Sequence, residues 1–489
     1  MPLATTQPTY RLSRWLYFRL FGFTAFIATL SWWQQMPGLV GSRGIVRLAD
    51  HLTELSNAGY SLSQLPSLFW LSSTDAMLHL VCGLSVFSAA LVMLGLVERW
   101  ALAVLWVTWL SLVVMCHPFL AFQWDVLLIE ATFFSFFFAS GQWRSRVSNA
   151  PEPNRVALFL MAWLSCKLTL ASGIVKLASG DPSWRDLTAL TFHWWTQPLP
   201  VWTSVFANEL PVPVQQVLCA LMFIAELLCP LLALGPRTLR RISGLASIGL
   251  QLGLMALGNY SFYNLLTLVL AIPLLDDALL LRFMPARFAG SLSNAEPPSW
   301  RLWQLPFAAL AVLLGITTFV ARFTPNESIH SINRWFDRFE TINAYGAFAV
   351  MTKARPEIIL EGSSDGVNWQ TYEFNYKPGA LKRRPEVIAP WQPRLDWQMW
   401  FAALGQCQQN PWLLLLQQRL LEDSAPVKAL FATVPSERPA FMRTIMFDYR
   451  FAPLRERGVW WQRSNPRLYC PPLSLDASGQ LRRAELPEQ

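Results

Sequence analysis

Residues 156–178 read VALFLMAWLSCKLTLASGIVKLA, and this stretch decides the fold. A bilayer core of roughly 30 Å needs about 20 apolar residues in helix, and the run is long enough. Helix is its only workable state, because in lipid a lone strand leaves its backbone groups unpaired. Working outward, the same criterion picks out eight more segments, near 15–33, 76–97, 100–122, 124–140, 213–234, 242–258, 260–281 and 303–321. The expected fold is therefore an α-helical polytopic membrane bundle of about nine transmembrane helices over residues 1–321. A mixed α/β soluble domain with a β-sandwich-like part follows over residues 322–489. The first run ends in Ser31-Trp32-Trp33-Gln34, with no small-residue cleavage site, so it reads as an uncleaved span.

Composition agrees. Of 489 residues, 53% are hydrophobic and 14% charged, against about 25% charged in soluble domains. The formal charge of +8 does not indicate a nucleic-acid partner, because the arginines gather at the ends of apolar runs. Arg11, Arg14 and Arg19 form one cluster; Arg144, Arg146 and Arg155 a second; Arg237, Arg240 and Arg241 a third; Arg282, Arg287 and Arg301 a fourth. With nine spans all four fall on one side, which the positive-inside rule makes cytoplasmic. The amino terminus is then cytoplasmic and the carboxy-terminal domain lies outside. The loops 34–75 and 179–212 lie outside too, the first with room for an amphipathic interfacial helix. Trp15, Trp32, Trp33, Trp100, Trp124, Trp300 and Trp303 sit near span ends, where indole rings prefer the headgroup level.

Charged side chains at membrane depth are costly and face a partner or a cavity. They are Asp125, Glu130, Lys167, Lys176 and Glu226. Counting depth along ideal helices pairs Lys167 with Glu226 or Glu130 and lets Lys176 snorkel outward. The outer loop adds a dense polar group: Asp181, Trp184, Arg185, Asp186, His193 and Gln197. It reads either as a functional centre or as a loop held rigid by an Asp-Arg ion pair and indole packing. Asn259 and Asn264 fit a tight reversal between two spans. His51, His79, His117, His193 and His330 are never at ligand spacing, so no metal site is expected, and no motif calls for a cofactor. Cys407 and Cys470 are the two cysteines able to meet in the soluble domain, and the sequence leaves their pairing open.

Beyond Arg322-Phe323-Thr324-Pro325 charges and prolines become frequent. Residues 356–377 place alternating apolar residues around a Ser-Asp-Gly turn, a hairpin signal similar to strand pairs of discoidin-type sandwiches. A helical stretch is expected at 395–432 and strands at 441–451 and 457–462. Trp391, Arg394, Asp396 and Trp397 are candidates for contact with a client protein, with burial in a core as the competing reading.

Several uncommon strings together resemble one family. They are SGIVKLASGDPSWRDLTALTFHWWTQPLP at 172–200, GNYSFYNLLT at 258–267, Tyr345-Gly346, the 358–369 hairpin and WQPRLDWQMWFAAL at 391–404. The chain is similar to the lipase maturation factors over residues 10–475, departing at Tyr263, where that family usually has phenylalanine. The resemblance implies a membrane factor, not an enzyme, that helps secreted lipases or other exported proteins reach their folded state. It implies residence in the endoplasmic reticulum membrane of a eukaryote or the inner membrane of a bacterium, with the carboxy-terminal domain meeting the client. Two other readings stay open at this point. One is a membrane enzyme distantly similar to vitamin K-dependent carboxylases, using Lys167 or Lys176; the other is a transporter, though no repeated pair of broken helices is evident.

Overall fold

The computed structural model describes residues 7–149, 151–285, 288, 292, 298–324, 333, 335–456 and 458–485. Arg287, Pro325 and His330 lie outside the described residues. In chain order the helices are α1 Arg11–Leu39, α2 Leu48–Asn57, α3 Asp75–Leu94, α4 Glu98–Met115, α5 Gln123–Phe138, α6 Arg155–Ala178, α7 Pro182–Arg185, α8 Leu190–Thr196, α9 Trp202–Asn208, α10 Val212–Phe223, α11 Arg237–Leu257, α12 Tyr263–Ala271, α13 Asp277–Leu280 and α14 Leu305–Ala321. All nine apolar segments are helical. Among the described residues five runs, and not the expected nine, are long and apolar enough to cross a membrane: Asp75–Leu94, Glu98–Met115, Arg155–Ala178, Val212–Leu234 and Leu302–Ala321. The others are shorter, like α5, or less apolar. The Val212–Leu234 run is not a plain α-helix. A π turn covers Ile224–Leu228 and 3-10 turns follow over Cys229–Leu234, where Pro230 removes a backbone donor.

The two long loops expected outside the membrane are built, not slack. Within 34–75, α2 is amphipathic and buries Leu48 and Leu52. The loop 179–212 is mostly α7, α8 and α9, with Asp181 capping α7 through the Ser183 amide at 2.9 Å.

The carboxy-terminal part contains β1 Pro356–Ser363, β2 Gln370–Phe374, α15 Arg394–Ala403, α16 Pro411–Leu421, α17 Ala425–Lys428, β3 Phe431–Thr433, β4 Phe441–Phe451, β5 Trp461–Leu475 and β6 Leu481–Arg483. The Ser-Asp-Gly hairpin is real: β1 and β2 pair antiparallel around it, and Asp365 accepts the amides of Val367 and Asn368 at 2.9 and 2.8 Å. The expected sandwich is not found among the described residues. One six-stranded antiparallel sheet in the order β3-β2-β1-β4-β5-β6 takes its place, packed with helices. A Ser-Asp-Gly turn reports a hairpin, not how many sheets share it. The last long strand also starts later and runs further than 457–462, because β6 folds back on its far end.

β5 has a half-open edge. β6 pairs only with Leu473–Leu475, so residues 461–472 have β4 as their only strand neighbour among the described residues. Residues 462–468 are all exposed, and Pro466, Pro471 and Pro472 interrupt the edge's amide donors. A disulfide joins Cys407 to Cys470, with Cα atoms 5.5 Å apart. It ties the α15–α16 connection to β5.

One hydrophobic core runs through both parts, from Tyr17 and Trp32 in α1 to Leu413 in α16 and Met442 in β4. Gly38 lies where an added Cβ would come within 2.4 Å of the Pro426 carbonyl, so glycine lets α17 close on α1. Trp32 and Trp124 belong to this core and are not headgroup anchors: the guanidinium of Arg394 lies 5.9 Å from the Trp32 ring, and Trp397 packs edge-on to Trp124 at 4.8 Å. Trp100, Trp300 and Trp303 do stay exposed.

Candidate functional site

The bundle has two polar faces. On one, the arginine clusters converge on acidic helix starts. Asp276 pairs with Arg237 and with Arg241. Asp277 accepts the amides of Arg11, Leu12 and Ser13 at 2.9, 3.0 and 3.1 Å, fixing the start of α1. Arg19 pairs with Glu98, and Arg155 donates to the Pro298 carbonyl at 2.9 Å. These contacts satisfy the free amides that every helix start presents.

On the other face, polar residues of the bundle hold the carboxy-terminal part. Asp125, in the first turn of α5, receives both Nη atoms of Arg394 at 2.6 and 2.8 Å, and both side chains are fully buried. Gln35 accepts the Arg394 amide at 2.8 Å and donates to the Gln392 carbonyl at 2.7 Å. Arg355 donates to the carbonyls of Trp195, Gln197 and Pro198, while Glu357 neutralises it at 2.8 Å. Asn259 accepts the amides of Ile388 and Ala389 at 2.8 and 3.0 Å and donates to the Glu386 carbonyl at 2.7 Å. The expected task of Asn259, closing a reversal between spans, is thus replaced by docking.

The two intramembrane lysines are both paired. Lys167 contacts Glu130 and donates to the Asn343 carbonyl at 3.1 Å. The other oxygen of Glu130 accepts from the Asn343 amide at 3.1 Å and from the Tyr345 hydroxyl. Gln123 closes the same seam with two 3.0 Å bonds to Gly346. Every charge here is met by a hydrogen bond, as burial demands.

Lys176 does not snorkel. Its ammonium reaches Glu226 at 2.7 and 3.0 Å, donates to the Ser172 carbonyl at 3.2 Å and lies 5.6 Å from the Trp184 ring. Glu226 is therefore the partner of Lys176 and not of Lys167. The pair borders a cavity of about 450 Å³, whose polar lining includes His193, Gln251, Tyr260 and Asn264.

The outer-loop group divides. Asp181 is buried and faces Lys353 at 3.7 Å and the Met351 amide at 2.7 Å, so its cation is not Arg185. Burial alone would push the Asp181 carboxyl up; the amides of Met351 and Ser183, the Ser183 hydroxyl and Lys353 outweigh it and hold the group below the usual range. Arg185 and Asp186 are exposed. Trp184 is buried and donates to the Phe348 carbonyl at 3.1 Å.

His193, Tyr260 and Gln197 form a buried chain. Gln197 donates to the carbonyls of Trp194 and Leu257 at 3.1 and 2.9 Å, which leaves its oxygen to accept from Tyr260 at 2.8 Å. Tyr260 has then used its proton, so His193 Nε2, 2.6 Å away, is the donor. Burial, with Lys176 nearby, holds His193 down to about 4, so the ring is neutral near pH 7.

The candidates for client contact fall mostly inside. Arg394 is bound to Asp125, and Asp396 accepts the amides of Tyr376 and Lys377 at 2.6 and 2.8 Å. Trp397 packs on Phe122 and Trp124. These three are buried: Arg394 and Trp397 build the seam between the two parts, and Asp396 braces the carboxy-terminal part from within; Trp391 keeps partial exposure. Sequence reasoning missed Asn343, Tyr345, Arg355 and Gln251. Only Tyr345 carried a signal, as part of a family-like string.

Residues 12–282 match a family model described as the lipase maturation factor transmembrane domain, and residues 341–471 match the lipase maturation factor C-terminal domain. The chain is 31% identical to lipase maturation factor 2 of Gallus gallus, an alignment covering 92% of this chain and 79% of the relative. It is 30% identical to lipase maturation factor 1 of Homo sapiens, covering 96% and 89%. No solved structure matches.

Proposed function

This chain belongs to the lipase maturation factor family, and from that membership we propose that it is a membrane-anchored, chaperone-like factor for secreted lipases or other exported proteins. The helical part, 1–321, crosses the bilayer with its amino terminus cytoplasmic. The part from 322 to 489 works in the lumen of the endoplasmic reticulum in a eukaryote, or in the periplasm from a bacterial inner membrane. Two observations support this orientation. The start of α1, at Arg11, is held by Asp277 beside the Arg237 and Arg241 pairs, while its other end, at Gln35 and Gly38, meets the carboxy-terminal part. Cys407 and Cys470 are paired, which suits an oxidising compartment.

The observation that carries the client-handling role is the half-open edge of β5. Folding intermediates expose unpaired strands and apolar surface, and a strand edge can pair with them through its own backbone. Leu468, about half exposed, adds an apolar contact there. Because the sheet is fixed to the bundle by buried pairs, the edge is held at one height over the membrane. Truncation at residue 322 is a poor test, since it would leave Asp125 without Arg394 and strip Glu130 of Asn343 and Tyr345.

A better test is lipase activity per mass of secreted lipase, in a host stripped of its own factor. Wild-type chain raises it and Leu468→Asp lowers it several-fold. No rise with wild type overturns the maturation role; a full rise with Leu468→Asp overturns the edge as client surface.

A further inference from the structure

The cavity beside Lys176 and Glu226 is not explained by holding a client outside the membrane. Its walls are α6, α10 with the π turn after it, α11 and α12, and its roof is Trp184, His193 and Phe348. A volume of about 450 Å³ falls in the range of small-molecule sites, ~300–1,000 Å³. Among its lining residues Leu221 and Ile224, on the Val212–Leu234 run that is apolar enough to cross a membrane, are about half exposed, and Gly249 and Gly253 of α11 are exposed too. The opening therefore faces hydrocarbon.

α11 makes room for an occupant. Its cavity side carries Ala246, Gly249, Leu250, Gly253 and Leu254, the i, i+3, i+4 spacing of one helix face. A Cβ added at Gly249 or Gly253 would meet no atom within 4 Å; both glycines are exposed and edge the open side of the cavity.

Two polar groups of the cavity's lining residues are unanswered. Asn264 Nδ2 and Gln251 Oε1 have no hydrogen-bond partner, although their residues are only 2% and 5% exposed. One is a donor and one an acceptor. The other polar wall groups are occupied: Thr169, Ser172 and Thr267 bond back to their own helix, and His193 is engaged by Tyr260. Lys176 is neutralised by Glu226, so the wall offers no net charge to a carboxylate or phosphate.

We propose that this cavity is a membrane-facing binding site for a single-chain lipid with an uncharged hydroxyl-and-carbonyl head, of the monoacylglycerol class. A head hydroxyl donates to Gln251 Oε1, and the ester carbonyl or a second hydroxyl accepts from Asn264 Nδ2. The acyl chain lies along the glycine face of α11 and leaves between Leu221 and Ile224. A fatty acid or anionic phospholipid would set its charge against Glu226 and the Gln251 oxygen with no free cation to meet it.

The test uses the full chain in nanodiscs and a monoacylglycerol carrying a diazirine in its chain. Saturable labelling is expected in peptides from 218–229 and 246–267, displaced by unlabelled monoolein. Asn264→Leu weakens labelling about tenfold, the order expected for one buried hydrogen bond. Gly253→Leu abolishes it, while Gly253→Ala binds as wild type and shows that the position tolerates change. Labelling that is unsaturable, that maps elsewhere, or that survives Gly253→Leu overturns the site. Displacement by oleate or phosphatidylglycerol as strong as by monoolein overturns the uncharged-head assignment on wild-type protein alone, whatever the variants do. None of these outcomes bears on lipase maturation, which is read by a different assay.

Discussion

Lys167 and Lys176 share helix α6, and each is joined to a glutamate of a neighbouring segment, yet their surroundings differ. Around Lys167 the chain from 341 to 346 supplies a carbonyl, an amide and a hydroxyl, so the pair is sealed and its partners span both parts of the molecule. Around Lys176 the pair forms one side of an open cavity. The same ion pair thus serves as a rivet where hydrogen bonds close over it, and as a neutral wall where they do not. Charge at membrane depth does not by itself tell the two apart; the neighbouring polar groups do.

The sharpest way to break this contrast is Glu130→Ala, which strips Lys167, Asn343 and Tyr345 of their acceptor at once. Removing one member of a buried pair costs about 3–5 kcal/mol, so we expect loss of folded protein in a thermal-shift assay, with new cleavage by protease near 343–346. Protein as stable as wild type would show that the seam is not what holds the sheet down. Lys176→Met should cost less, about 1–3 kcal/mol, because Glu226 borders the cavity and can be met there by a lipid head. Equal losses for Lys167→Met and Lys176→Met would erase the distinction between sealed and open pairs.

His193 sharpens it from the roof. Its folded value near 4 lies below the ordinary value of 6.5, so the unfolded chain binds the extra proton first. Stability is present above about 6.5 and falls as pH drops toward 4, with a slope approaching about 1.4 kcal/mol per pH unit. His193→Gln should flatten the difference curve in that window, read from unfolding midpoints against pH. The smallest effect is expected for Asn259→Ala, which removes three hydrogen bonds to 386–389 but leaves the ion pairs. About 1–2 kcal/mol is expected, read as faster amide exchange confined to that segment.

Elements that must satisfy their own backbone were legible in the sequence. Each apolar run became a helix, and the Ser-Asp-Gly turn became a hairpin. The Lys167–Glu130 contact was one of two pairings that depth allowed. Lys176–Glu226 was not anticipated, because the depth count started α10 at the membrane surface. In fact its first turn stands beside α8, where Gln215 accepts from Trp194 at 2.8 Å, and Glu226 lies level with Lys176, so a count from the start of the run misplaces it. Asp125 and Arg394 lie 269 residues apart, and no spacing rule joins them. Trp32 and Trp124 were misplaced for the same reason: a tryptophan at a span end is an anchor only if nothing covers it, and the docked α15 does.

The prolines of β5 set a limit on how tightly anything can grip there. Only alternate amides of an antiparallel strand face its open edge, and those of Trp461 and Cys470 are held by Leu381 and Thr444, so donors are left only within 462–465 and 467–469, on either side of Pro466, before Pro471 and Pro472. On the proposed client-handling role, grip in such pieces would be brief, and a passenger would depart by thermal motion alone. The same breaks discourage two copies of the sheet from zipping together edge to edge.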